Sequence, residues 1–156
     1  MKSSERAQTG AAKTGRAPVP PSAWQLLAAA RHGLQEAAVA TRPNERYAAA
    51  HLAALRCAAA MLAARARPVA QTSRRDRRPR SAWALLTEVA PEFGEWAAFF
   101  AAGAAKRAAA EAAIDGVVTT READDLLRDV ETFLALTETA VGLSHQPALR
   151  LDARAS

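Results

Sequence analysis

The sequence predicts an all-α protein, a bundle of four long antiparallel helices plus one short helix, and three observations carry that prediction. Half of the 156 residues are hydrophobic but only 5% are aromatic. Alanine supplies most of the remainder; it is the strongest helix former, and the β-branched residues that favour strands are scarce. Apolar residues recur at spacings of three and four, and no segment shows the two-residue alternation of a half-buried strand. Helix start and stop signals fall between these periodic runs. A chain of this length fits one domain, whose core can stand without disulfide or metal.

Residues 1–21 are polar, basic and proline-bearing, with too little apolar material to fold alone, and read as a disordered arm. The bundle is expected over 22–143. Its first helix begins at Ser22, taken as the N-cap after Pro20 and Pro21, and carries Trp24, Leu27, Ala30 or Arg31, and Leu34 as its buried stripe. Thr41-Arg42-Pro43 ends it. The second helix starts at Pro43, where a missing N–H costs nothing, with Glu45 in the favoured first turn. Its stripe is Tyr47, His51, Ala54/Leu55, Ala58 and Met61/Leu62, and it stops near Arg67-Pro68.

Residues 67–80 lack periodicity and form an expected flexible arginine-rich loop, long enough for its size to suggest function or disorder. Ser81 caps a short helix with Trp83, Leu85 and Leu86. Pro91 opens the next helix, with Phe93, Trp96/Ala97, Phe100 and Ala104 facing inward, and Gly116 closes that region. Thr119 and Glu122 form a capping-box pattern at the start of the last helix. Its stripe runs Ala123, Leu126/Leu127, Val130, Phe133/Leu134, Thr137 and Val141, with Gly142 as the expected C-terminal cap and 144–156 as a frayed tail. SAWQLL at Ser22 and SAWALL at Ser81 read either as two similar halves or as two capped helices with the same needs.

Charge is unevenly placed. The formal net charge is +5, yet residues 1–21 carry +3, residues 65–80 carry +6 and the tail from 145 carries +1, which leaves the helical body at −5. Single Cys57 excludes an internal disulfide, and its place in an alanine-rich helix makes it a buried, inert thiol. The longest unbroken apolar run, Trp96–Ala105, is too short to cross a bilayer, and the basic N-terminus lacks the apolar core of a secretory signal. A cytoplasmic location without membrane contact is the expectation. Abundant Ala, Arg and Pro suggest a GC-rich bacterial genome.

Glycine phosphate loops, nucleophile elbows and paired cysteines are missing from the sequence. His32, His51 and His145 share no metal-ligand spacing, so neither metal nor cofactor is expected. Glu92/Glu95 and Asp124/Asp125/Asp129 read as solvated helix faces. Arg74, Arg75, Arg77, Arg78 and Arg80 are candidates for contact with a nucleic-acid backbone, since clustered arginines displace its counterions. The loop has no aromatic residue on which bases would stack. A solubilising flexible loop, or one that meets an acidic protein surface, including one on another copy of this chain, is the other reading such a segment fits.

Helix two begins ERYAAAHLAALRCAAAML, which sets Arg46 five residues before His51. Together with SAWALLTEVAPEFGEWAAFF and the arginine-rich break between them, this resembles the HEPN superfamily of small prokaryotic helical bundles, in particular its uncharacterised actinobacterial members. The resemblance spans about Ser22 to Gly142. It implies a homodimer, RNA-associated roles and, for many members, metal-independent ribonuclease activity through an R-x4–6-H motif. It also suggests a toxin–antitoxin setting with nucleotidyltransferase-like antitoxins. On that reading His51 is the acid–base for the ribose 2′-hydroxyl and Arg46 stabilises charge on the phosphate. The residues themselves leave a second reading open. Five residues place the two side chains roughly 140° apart around the helix, and His51 lies on the apolar stripe, where it is a core histidine with a hydrogen-bond partner. The favoured function is therefore a non-catalytic binding or interaction module, with the endoribonuclease as the alternative.

Overall fold

The computed structural model describes residues 19–65 and 80–144. Residues 1–18, 66–79 and 145–156, which hold most of the expected arm, loop and tail together with Arg74, Arg75, Arg77, Arg78 and His145, lie outside the described residues. The described part is all-α: α1 (Pro21–Val39), α2 (Pro43–Arg65), α3 (Ala82–Val89), a 3-10 turn (Pro91–Phe93), α4 (Gly94–Ala102), α5 (Ala104–Glu111) and α6 (Thr120–Ser144).

α1 and α2 form an antiparallel hairpin across a three-residue turn, and α6 packs along both. α1 buries Ala23, Leu27, Ala30, Leu34 and Ala37, a line of small and large residues that lets the two backbones approach closely. Where they do, Gly33 leaves room for a neighbouring side chain: a Cβ there would sit 3.1 Å from the flexible end of Arg56, at Nη1, and 3.6 Å from Ala53 Cβ. Arg46 pairs with Asp124 near the starts of α2 and α6, and Arg31 of α1 pairs with Glu138 near the end of α6. α6 therefore runs antiparallel to α1 and alongside α2 in the same direction, because α3–α5 carry the chain back between them. Trp83, Trp96, Phe100 and Phe133 cluster where α3 and α4 pack on the bundle; Phe100 lies 5.0 Å from both Trp83 and Phe133, ring centre to ring centre.

Several local expectations change. Trp24 is 40% exposed and Ala23 is buried in its place, since the α1–α2 contact has no room for an indole. Its counterpart in the repeated SAW motif, Trp83, is buried. Ser81 caps α3 by accepting from Ala84 N at 3.1 Å, whereas Ser22 lies inside α1, whose first turn follows Pro20 without a side-chain cap. The two SAW segments thus do different jobs. The expected helix from Pro91 is a 3-10 turn followed by α4 and α5, which meet at Gly103. α6 continues past Gly142 to Ser144, so that glycine caps nothing.

The capping box at the start of α6 forms in full: Glu122 N donates to Thr119 Oγ1 at 3.1 Å, and Thr119 N donates to Glu122 Oε2 at 2.8 Å. α5 ends differently from expectation. Ile114 N donates to Ala109 O, and Ala113 N to Ala110 O, the paired bonds of a Schellman stop. Its left-handed position is Ala113, with φ of 55°, where glycine is usual; Gly116, with φ of 73°, follows in the loop.

By length and composition α2 is apolar enough to cross a bilayer, with a mean hydropathy of 1.4 over a window that is half buried. An unbroken-run count misses this because His51 and Arg56 interrupt the alanines. α2 packs against α1, α3, α5 and α6, which is the situation of a bundle's core helix.

Candidate functional site

Arg46 and His51 lie on α2, and the bundle sends them to different neighbours. The Arg46 guanidinium turns back over the end of α1. Its Nε donates to Ala37 O at 3.1 Å and its Nη2 to Ala40 O at 2.8 Å, while Nη1 pairs with Asp124 of α6. The last carbonyls of a helix have no partners within it and carry its negative dipole end, so a guanidinium there satisfies both hydrogen bonding and charge. The side chain is part-buried and its described bonds join α1 to α6.

His51 points to the opposite side. It is 1% exposed, enclosed by Tyr47, Trp83 and Phe100, with the last two rings edge-on to it at 6.0 and 6.1 Å. Nε2 lies 3.1 Å from Phe100 O. A carbonyl only accepts, so in the neutral ring Nε2 carries the proton. Phe100 O also receives Gly103 N at 3.1 Å. His51 therefore steadies the last turn of α4, where the chain breaks before α5. A Cβ at Gly103 would stand 3.0 Å from Tyr47 Oη and 3.7 Å from His51 Cδ2, so the break and the absent side chain together admit the tyrosine and histidine.

Burial is the main force on the His51 pKa and lowers it; the Phe100 carbonyl opposes the shift, and Arg107 adds to it. Nδ1 is buried with no hydrogen-bond partner among the described residues. A general base needs an accessible lone pair and a reachable proton. This ring offers its lone pair to the bundle interior and holds its proton on a backbone carbonyl.

The arginine segment enters the described residues only at Arg80, just before α3, which pairs with Glu88 near the end of that helix. Glu92 pairs with Arg65, and Asp125 with Arg128. Asp129 has its carboxyl pKa raised, first by partial burial and then by Asp125. His32 lies 3.3 Å from Glu36 on an exposed turn of α1. Among the described residues no three His, Cys, Asp or Glu side chains gather as a metal-binding group.

A cleft of about 600 Å³ opens at the amino end of α2, lined by Arg42, Asn44, Glu45, Glu111, Asp115 and Val118 among others. Asn44 Nδ2 closes one side by donating to Ile114 O at 2.9 Å. Neither Arg46 nor His51 lines it. Sequence reasoning did not find this cleft, because its walls come from α2 and from the α5–α6 loop and share no spacing. It also did not find Asp124 as the partner of Arg46 or Gly103 as the neighbour of His51; both relations are long-range, and Gly103 stands in a run of alanines with no turn signal beside it.

Searches of curated proteins and of solved structures give no significant match. A family model, described as HEPN_SAV_6107-like HEPN, matches residues 37–138, from the end of α1 through most of α6. That span contains the whole of α2 and the α3–α5 return, and on it the chain belongs to the HEPN_SAV_6107-like HEPN family.

Proposed function

We propose that this protein is a non-catalytic HEPN binding module that works through its outer surfaces and its Arg74–Arg80 segment, with RNA or an acidic protein as the ligand of those arginines. The observation that carries this reading is the separate use of Arg46 and His51. One guanidinium caps α1 and pairs with Asp124, and one imidazole steadies α4 from inside an aromatic enclosure. A metal-free ribonuclease of the R-x4-H kind needs both groups to converge on one phosphodiester. Charge supports the same reading: the basic excess is held by residues 1–21, 65–80 and the tail from 145, while the rest of the chain is acidic. A cytoplasmic setting and self-association accord with it.

The test is binding of a labelled single-stranded RNA by the full chain, with and without Gln at positions 74, 75, 77, 78 and 80. The expected result is intact RNA, bound with steep salt dependence that flattens in the substituted chain. RNA left unbound by both chains directs the module to a protein partner. RNA cut by the wild-type chain contradicts the proposal.

A further inference from the structure

On one face the aromatic core continues out to solvent. Large apolar side chains scattered singly on a surface are ordinary, whereas a cluster of them marks a contact surface. Phe99 of α4 is 47% exposed and stands edge-on to Trp96, itself only partly covered. Trp96 stacks on Phe133 of α6 at 5.5 Å, ring centre to ring centre. Asp129 and Leu136 lie one turn before and one turn after Phe133, and Leu136 is 44% exposed. Both lie on the side of α6 away from α1, which packs where Arg31 meets Glu138. The Trp96–Phe133 contact and the Lys106–Glu122 pair set α4 and α5 antiparallel to α6. From one contact to the other the two walls run about 15 Å. The result is a shallow groove floored by Trp96, with Phe99 on one wall and Leu136 on the other.

Charge and backbone both limit what can lie in this groove. Glu95 stands one turn before Phe99 on α4, and neither it nor Asp129 has an ion-pair partner among the described residues. The cations of α5 and α6 do have partners: Lys106 with Glu122, Arg107 with Glu111, and Arg121 and Arg128 with Asp125. Partial burial and then Asp125 raise the Asp129 pKa, with Arg128 opposing; a cation docked beside that carboxylate offsets both effects. The groove thus offers one unpaired acid on each wall. Both walls are helices whose backbone groups are bonded internally. An extended strand laid here would leave its own backbone unpaired, whereas a helix arrives with its own satisfied. Residues 65–80 of this chain have the matching charge, but their only hydrophobic side chains are Ala66, Val69 and Ala70, with prolines at 68 and 79. That composition makes no helical stripe.

We propose that the groove between α4 and α6 is a docking site for a cationic amphipathic helix of a partner protein. The apolar stripe of that helix covers Trp96, Phe99 and Leu136, and lysines or arginines along its two edges meet Glu95 and Asp129. A groove of about 15 Å takes roughly ten residues of helix, a small contact that gives reversible binding in the micromolar range. Such a partner is basic where any ligand of the Arg74–Arg80 segment is acidic, so this surface serves whether or not that segment binds RNA.

The probe is a fluorescein-labelled peptide of leucine and lysine patterned as an amphipathic helix, with a glutamate-for-lysine version as its counterpart. Anisotropy with the full chain reads binding, and circular dichroism verifies the fold of every variant. The expected result is micromolar affinity for the lysine peptide. Phe99→Ala and Leu136→Ala are each expected to weaken it by about fivefold to tenfold. Glu95→Lys combined with Asp129→Lys is expected to weaken it by at least about tenfold and to let the groove take the glutamate peptide instead. The glutamate peptide can also meet the basic segments of the chain, but that binding is indifferent to Phe99→Ala, which tells the two sites apart. Failure of the lysine peptide to bind, binding that ignores Phe99→Ala, or binding unchanged by the charge reversal overturns the proposal. Sedimentation without peptide covers the remaining occupant. A chain that takes no peptide and whose self-association is abolished by Phe99→Ala keeps this face for a second copy, which also contradicts the proposal.

Discussion

Replacing His51 separates a structural histidine from a chemical one, provided the replacement is chosen by volume. In His51→Ala the ring leaves an enclosure made by Tyr47, Trp83 and Phe100. The bond to Phe100 O is lost as well, but that carbonyl keeps Gly103 N as a donor, so this part costs about 1 kcal/mol and not the larger penalty of an orphaned acceptor. The cavity adds about 2 kcal/mol. A total near 3 kcal/mol lowers the Tm by roughly 10–15 °C in a domain of this size. His51→Leu refills most of the volume and also removes Nδ1, which is buried without a partner among the described residues. Its lost bond and its relieved orphan nearly cancel, leaving a change within about 1 kcal/mol. Thermal unfolding followed by circular dichroism reads both. If the two variants melt together, or if His51→Ala melts with the wild type, then His51 is not the buried strut described above.

Three further outcomes follow from the same geometry. Burial lowers the His51 pKa below its ordinary value near 6.5, so the unfolded chain takes up that proton first. Stability is then full above pH 6.5 and falls as the pH drops toward the folded pKa; the loss in this window disappears in His51→Leu, as denaturant titrations at several pH values will record. Ala113→Gly relieves a left-handed alanine at the α5 stop and is expected to stabilise the protein by about 1 kcal/mol in denaturant unfolding; a destabilised variant would show that the conformation at 113 is not what limits this turn. Burial pushes the Cys57 thiol up to about 12, so a thiol reagent labels it only under denaturing conditions, and rapid labelling of the native chain would contradict the packing of α2.

Local rules made the helices legible, and tertiary contacts hid the rest. The Thr119–Glu122 box and the Ser81 cap are short-range bonds between residues three apart, and both stand where the pattern put them. The apolar stripe of α6 from Ala123 to Val141 reads from its period for the same reason. Trp24 misled because a hydrophobic period does not say which of two adjacent positions faces a close-packed alanine partner. The break at Gly103 falls on the one weak helix former in its alanine run, but the close approach of Tyr47 and His51 from α2 at that glycine is contained in no local pattern. At Arg46 and His51 the spacing suited a metal-free active site, while the place of His51 on the apolar stripe favoured a core histidine with a hydrogen-bond partner. Their angular separation of roughly 140° was readable, but the carbonyls at the end of α1 and of α4 that receive them were not.

Exposing a labelled single-stranded RNA, in chelator, to wild-type protein and to His51→Leu tests most directly whether Arg46 and His51 hold the bundle or cut a phosphodiester. Leucine keeps the bundle folded, so loss of structure does not obscure the comparison. The account predicts intact RNA with both proteins, at concentrations where the chain is folded. Cleavage by the wild type that leaves 2′,3′-cyclic phosphate ends and vanishes in His51→Leu would contradict it.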